Sequence, residues 1–175
     1  MRLLFEIDKK DYNENGTFFI RPSVRGIIFK NKKIAMIHSL KYDYYKFPGG
    51  GAEQGENHFD TLIREIREET GLIVIPSTIR EYGLVHRVQK GKDSDIFIQD
   101  NFYYFCEAED IILSQQLEAD EEEEKFVLEF VTPDYAIEVN NTHSHSSKDE
   151  SPRFIGRLER DTRVLELLIK EFDIQ

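Results

Sequence analysis

The 175-residue chain has no tryptophan and only one cysteine, Cys106. One thiol cannot close an internal disulfide, so stability has to come from the core, and a reducing compartment is the natural setting. Long apolar runs are missing too, since none approaches the ~18 residues of a membrane span. The first residues, MRLLFEIDKKDYNENG, carry charge where a secretory leader needs an apolar stretch. A cytoplasmic protein with no membrane partner is the expectation. Positive charge is in deficit, with 23 Lys plus Arg against 34 Asp plus Glu and a formal net charge of −11. Such a surface repels nucleic acid polymers and anionic lipid heads but welcomes a divalent cation.

What is present is a globular composition, 39% hydrophobic and 12% aromatic, at a length that suits one domain over residues 1–175. Short runs of β-branched and aromatic residues mark strands at Val24–Phe29, Ile34–Ile37 and Tyr44–Phe47, the first two joined as a hairpin through Lys30 to Lys33. Pro48 and Gly49 to Gly51 then force a tight turn. Further strands are expected at Leu72–Ile75, Arg80–Val88, Asn101–Ala108 and Phe126–Val131. Pro133 opens a short helix through Ile137, and Asn140 to Glu150 reads as a polar loop. Ser151 and Pro152 start a last helix, about 152–173, with Leu158, Leu165, Leu168 and Phe172 along its apolar stripe. Two substantial helices among strands without regular βαβ alternation favour an α/β sandwich, a mixed sheet covered by helices.

Between the glycine turn and Leu72 the period changes. Phe59, Leu62, Ile63 and Ile66 recur at helical spacing, with Asn57 and Asp60 as N-terminal signals and Gly71 as the C-terminal one. Glu65, Glu68 and Glu69 stand at i, i+3 and i+4, so three carboxylates emerge on one helix face. Their mutual repulsion calls for positive charge. Arg64 and Arg67 could supply it on a solvated surface, and a hard cation such as Mg²⁺ or Mn²⁺ is the functional alternative.

The stretch GGAEQGENHFDTLIREIREETGL, residues 50–72, resembles the signature of the Nudix hydrolases: a glycine, five residues, a glutamate, seven residues, then Arg-Glu-aliphatic-any-Glu-Glu-any-Gly-aliphatic. Every specified position is met, from Gly50 and Glu56 to Arg64, Glu65, Ile66, Glu68, Glu69, Gly71 and Leu72. The resemblance implies the family's α/β/α sandwich and a metal-dependent hydrolase of a nucleoside diphosphate linked to another moiety. It implies Glu65, Glu68 and Glu69 as metal ligands, with the carbonyl of Gly50 as a further ligand and Mg²⁺ or Mn²⁺ as the ion. Glu56 and Arg64 become an ion pair that locks the glycine loop to the helix, and Gly71 is structural. Some members use the first glutamate of the Arg-Glu pair as general base, here Glu65, and others a glutamate on a distant loop. Glu118 to Glu124, with six carboxylates in seven residues, is the loop candidate, and Glu121 its most suitable member.

Outside the signature the residues speak less clearly. Arg25, Lys46 and Arg87 are candidates for substrate phosphates, equally readable as surface charges. Tyr42, Tyr44 and Tyr45 could stack on a base but read more simply as core. His143 and His145 read as surface, and the acceptor patterns Asn15-Gly16-Thr17 and Asn140-Asn141-Thr142 mean little without a secretory signal. A free nucleoside triphosphate, oxidised or noncanonical, leads the substrate expectations, with ADP-ribose or a nucleotide sugar next. A nucleotide-sensing module without turnover and a divalent-ion-binding structural protein are the rivals from other classes. No surface distinguishes a monomer from a homodimer.

Overall fold

The structure, a computed structural model, describes residues 1–142 and 152–172. Eleven strands and four α-helices are defined there. They run β1 (Leu3–Asp8), β2 (Phe18–Ile20), β3 (Ser23–Ile27), β4 (Phe29–Lys30), β5 (Lys33–Ser39), β6 (Tyr44–Lys46), α1 (His58–Thr70), β7 (Leu72–Val74), β8 (Arg80–Gln89), β9 (Ile96–Phe105), β10 (Ala108–Ile112), α2 (Ala119–Glu124), β11 (Phe126–Val131), α3 (Pro133–Thr142) and α4 (Pro152–Phe172).

Alternation along the strands creates two cores. On β5, Ile34 and Met36 face a cluster completed by Ala136, Val139, Val164, Leu165 and Leu168 of α3 and α4, while Ala35 faces Leu62 and Ile66 of α1. Side chains two apart share a strand face, so one strand serves both clusters. Helices therefore cover both sides of the sheets, and the architecture is an α/β/α sandwich. Strand β9 is its hub, antiparallel to β8 and parallel to β2 and β3. β1 runs parallel to β8, and β4, β6 and β11 are antiparallel to β5. Parallel and antiparallel pairs together make the sheet content mixed.

Helix α1 has the ends its sequence signals. The Asn57 side chain accepts from the backbone N–H of Phe59 at 2.9 Å and Asp60 at 3.0 Å, satisfying two of the free first-turn donors. Gly71 closes the other end in the left-handed region at φ 75°. A Cβ there would lie 1.9 Å from the Leu113 carbonyl oxygen, so glycine is also sterically required. Phe59, expected on the buried stripe, is 48% exposed and meets Tyr104 edge-to-face at the helix rim.

Several expectations need correction. The strand read as Val24–Phe29 is two, because β3 pairs with β9 whereas β4 turns through Asn31 and Lys32, both at positive φ, to pair with β5. The strand read as Asn101–Ala108 begins at Ile96 and ends at Phe105, and β10 then pairs with β7. The acidic loop is helix α2, ended by Lys125 in the left-handed region. Helix α3 continues to Thr142, which puts Asn140 on a helix, where its amide pairs with both the N–H and the carbonyl of Tyr45. Strand β1, before the extended segments expected from Thr17 onward, was not anticipated, whereas β2 falls within them. His143, His145 and Ser151 lie outside the described residues.

Candidate active site

The glycine turn between β6 and α1 docks on the start of α1 through Arg64. Its guanidinium donates to Glu56 from Nε at 2.7 Å and from Nη2 at 2.9 Å, a bidentate fork, and Nη2 also reaches the Gly51 carbonyl at 3.3 Å. Nη1 points the other way and donates to Glu65 and Glu68, each at 3.0 Å. One cation thus ties the loop glutamate to two carboxylates of the helix. The pairing holds the Glu56 carboxyl well down, to about 2.

Glu69 turns inward. It is 2% exposed and accepts from Lys46 Nζ of β6 and from the Gly49 N–H at 2.7 Å. Gly49 takes φ 127°, and a Cβ on it would meet the Val24 carbonyl oxygen at 2.3 Å, so the turn admits no side chain there. A Cβ on Gly50 would lie 2.2 Å from Glu65 Oε2. The Gly50 carbonyl accepts the Val24 N–H at 2.9 Å, which commits one of its two lone pairs.

Glu65, Glu68 and Glu69 line a single cavity of about 180 Å³ with Gly50, Lys46, Arg25 and Arg87. Glu121 of α2 lies on the same cavity beside Glu69. Burial first, and the charge of Glu69 second, push Glu65 upward and Glu121 up to about 8. Lys46 and Arg64 are the cations paired with the helix carboxylates. The same cavity also gathers arginines. Arg25 and Arg87 are buried on β3 and β8, and Arg160 of α4 reaches the same cavity. Burial and then repulsion from Arg160 lower the affinity of Arg25 for its proton, and Arg25 Nε has no hydrogen-bond partner among the described residues.

Sequence reading missed Arg160 and its neighbour Asp161. Arg160 donates to Asp161 at 2.7 and 3.0 Å and to Asn101 Oδ1 at 2.7 Å, while Asp161 also accepts from Tyr103 at 2.9 Å. A signal was available, because Asp161 falls three residues after Leu158 and four before Leu165, inside the apolar stripe. Tyr44 and Tyr45 are buried and bonded to Glu124 at 2.6 Å and Glu129 at 2.7 Å, so they serve the core rather than a base.

The donor set suits a hard divalent cation in kind, being carboxylate and carbonyl oxygens in a half-enclosed cavity. In arrangement, the carboxylates answer to Arg64 and Lys46. Among the described residues no three of them are grouped closely enough to hold an ion.

The fold is thus an α/β/α sandwich in which a glycine turn feeds a carboxylate-bearing helix and buried arginines line the same cavity. The model of the NUDIX domain matches residues 20–153, and the chain belongs to the Nudix family. It is 34% identical over 102 residues to an ADP-ribose pyrophosphatase of Methanocaldococcus jannaschii, covering 54% of this chain and 60% of that one. It is 41% identical over 49 residues to an RNA pyrophosphohydrolase of Ruthia magnifica, covering 27% of each. The matches thus span about three-fifths and about a quarter of those relatives' lengths. Among solved structures, the E. coli ORF135 protein superposes with a TM-score of 0.55 at 19% identity, covering 88% of this chain and 93% of that one, a likeness of fold. Nudix hydrolases generally need a divalent metal. No helix among the described residues is long and apolar enough to cross a membrane.

Proposed function

We propose that the protein hydrolyses the diphosphate linkage of a nucleoside diphosphate joined to another moiety. The observation that carries this reading is that one cavity is lined both by Glu65, Glu68, Glu69 and Glu121 and by Arg25, Arg87 and Arg160. Carboxylates alone suit an ion-binding structural protein, and arginines alone suit an anion sensor. Their combination suits a phosphoanhydride held between a cation and fixed positive charge.

In this reading Glu65, Glu68 and Glu69, with the Gly50 carbonyl, hold Mg²⁺ or Mn²⁺. The ion, when bound, neutralises the bridging oxygens and makes water a better nucleophile. Arg25 and Arg87 orient the phosphate oxygens, and Arg160, fixed by Asp161, adds positive charge. Arg64 aims the helix carboxylates by gripping Glu56, and Lys46 steadies Glu69. Glu121 takes the proton of the attacking water, a role for which Glu65 is the alternative. The bond between phosphorus and the bridging oxygen breaks as the bond from water to phosphorus forms, and the leaving phosphate carries the bridging oxygen away.

A nucleoside triphosphate, oxidised or noncanonical, is the substrate this wall of buried arginines favours, because its terminal phosphate brings extra negative charge. The products are then a nucleoside monophosphate and pyrophosphate. ADP-ribose is the second reading, favoured by the relative that carries that name. The test is kcat/KM across triphosphates, oxidised dGTP, ADP-ribose, NADH, dinucleoside polyphosphates and coenzyme A, with and without Mg²⁺ or Mn²⁺. A strong metal-dependent preference for a triphosphate is expected. A preference for ADP-ribose would move the assignment to the second reading, and metal-independent or negligible turnover by folded protein would overturn hydrolysis.

A further inference from the structure

Strand β2 ends its sheet. It pairs with β9 on one side, and among the described residues no strand or loop pairs with the other. The ladder fixes which backbone groups are already spent. The Ile96 N–H donates to the Thr17 carbonyl at 2.9 Å, and the Arg21 N–H donates to the Ile98 carbonyl at 3.0 Å. In a parallel ladder every second residue bonds the neighbouring strand, so Thr17, Phe19 and Arg21 face β9, whereas Phe18 and Ile20 direct their N–H and carbonyl groups to the free edge. Such an edge is a template for another strand, and proteins usually blunt it with lysine, proline or a bulge. β2 has none of these. Its register is regular, its side chains are 67%, 55% and 52% exposed, and Asn15 to Ile20 carries no charge in a chain of net −11.

The edge is complementary to itself about Phe19. In an antiparallel pair centred there, Phe18 of one copy faces Ile20 of the other and exchanges both backbone hydrogen bonds with it, which is what the outward groups require. Phe19 faces Phe19 as the closer, non-hydrogen-bonded pair, and aromatic rings set opposite each other stabilise a ladder. One step further, Arg21 faces Thr17 of the second copy, whose N–H and hydroxyl hold the Asp95 carboxylate at 2.8 and 3.0 Å. A cation thus meets an anion at each end, apolar side chains meet between them, and no like charges fall opposite. Shifting the centre by one residue loses this match. It sets Phe19 against Thr17 and Ile20 against Gly16 in one direction, and Phe18 against Pro22, which has no N–H to give, in the other.

We propose that two copies of the chain pair antiparallel through β2, about a two-fold axis at Phe19, so that the sheet continues from one copy into the other. The contact is isologous and closes on itself, which leaves no free β2 edge for a third copy. Phe18 and Ile20 lie beside the half-buried Ile96 and Ile98 in the β2–β9 ladder, and pairing covers these as well. Three-residue strands make a small interface, so the dimer is weak and reversible.

The experiment is sedimentation equilibrium of the full chain between about 5 and about 500 µM, on the wild type and on Phe18→Lys and Ile20→Glu, alone and mixed. Both side chains are more than half exposed, so their replacement leaves the core intact, and melting curves check this. The wild type should dimerise reversibly within that range, and each variant alone should associate at least about tenfold more weakly. The equimolar mixture should recover the association, because the new lysine of one copy then faces the new glutamate of the other. Oxidation reads the register independently. Phe19→Cys should form a covalent dimer, its facing Cα atoms lying about 4.5 Å apart, whereas Phe18→Cys holds its two thiols out of register at more than about 7 Å and should stay uncrosslinked. Cys106 is buried and takes no part. A wild type that stays monomeric throughout, a dimer that neither charge weakens, or a mixture that recovers nothing would overturn the pairing. Cross-linking of Phe18→Cys as fast as Phe19→Cys would overturn its register.

Discussion

Arg64 and Glu56, eight residues apart, are joined by two charge-assisted hydrogen bonds of 2.7 and 2.9 Å that fasten the glycine turn to α1. The pair makes stability depend on acid. Arg64 holds Glu56 at about 2 against its ordinary 4.5, so between those values the unfolded chain binds more protons and stability rises with pH. The contribution is complete above about 4.5 and is lost as pH falls through about 2. For a pair partly open to water it amounts to about 1 kcal/mol. Urea unfolding of wild type and Glu56→Gln at several pH values should show a stability gap at pH 6 that closes toward pH 2. A gap independent of pH would mean that the charge of Glu56 is not what matters.

The two glycines before α1 should fail differently. Alanine at Gly49 faces backbone, the Val24 carbonyl oxygen, at a strained φ of 127°, and should cost stability, about 1–3 kcal/mol or more. Alanine at Gly50 meets the mobile end of Glu65, which can swing away. Gly50→Ala should therefore melt close to the wild type yet lose about a hundredfold in turnover, because a carboxylate displaced by about 1 Å is enough. Melting curves and kcat together decide. A Gly50→Ala enzyme of normal activity would remove Glu65 from the chemistry.

Asp161 is the buried counter-charge of Arg160, and Asp161→Ala should destabilise by about 3–5 kcal/mol, since it strands a cation inside the protein. Chemical denaturation measures this directly. A loss below about 1 kcal/mol would show that Arg160 finds another partner.

Cys106 is 5% exposed, and burial pushes its thiol up to about 12. Native protein should react with a disulfide reagent only as fast as the structure opens, and urea should release one rapid equivalent. Rapid labelling without denaturant would contradict the packing around α1.

What the sequence revealed depended on how local the signal was. Helix α1 was legible from end to end because Asn57, Gly71 and the period of Leu62 and Ile66 all lie within one segment. The α/β/α class followed from such segments. Strand β1 was hidden because its partner β8 is some eighty residues away, and Leu3–Asp8 has no pattern that names it. Helix α2 was hidden because its run of carboxylates has no apolar face. Within the candidate site, the family signature gathers Glu56 to Glu69, whereas the arginine wall comes from β3, β8 and α4, which only tertiary folding brings together. Arg87, named as a phosphate candidate with no direction to its side chain, shares the buried face of β8 with Val85 and Gln89, and only the strand pairing fixes that face toward the cavity.

Metal-dependent hydrolysis stands or falls with Glu68, whose carboxylate lines the cavity and accepts from Arg64 Nη1. Glu68→Gln keeps the side chain's size and removes one charge. Hydrolysis of the preferred nucleotide by wild type and variant, across a Mg²⁺ titration, should give turnover at least about a hundredfold lower in the variant, with an unchanged melting temperature. A folded Glu68→Gln protein that turns over like the wild type, or wild-type turnover that persists in excess chelator, would contradict it.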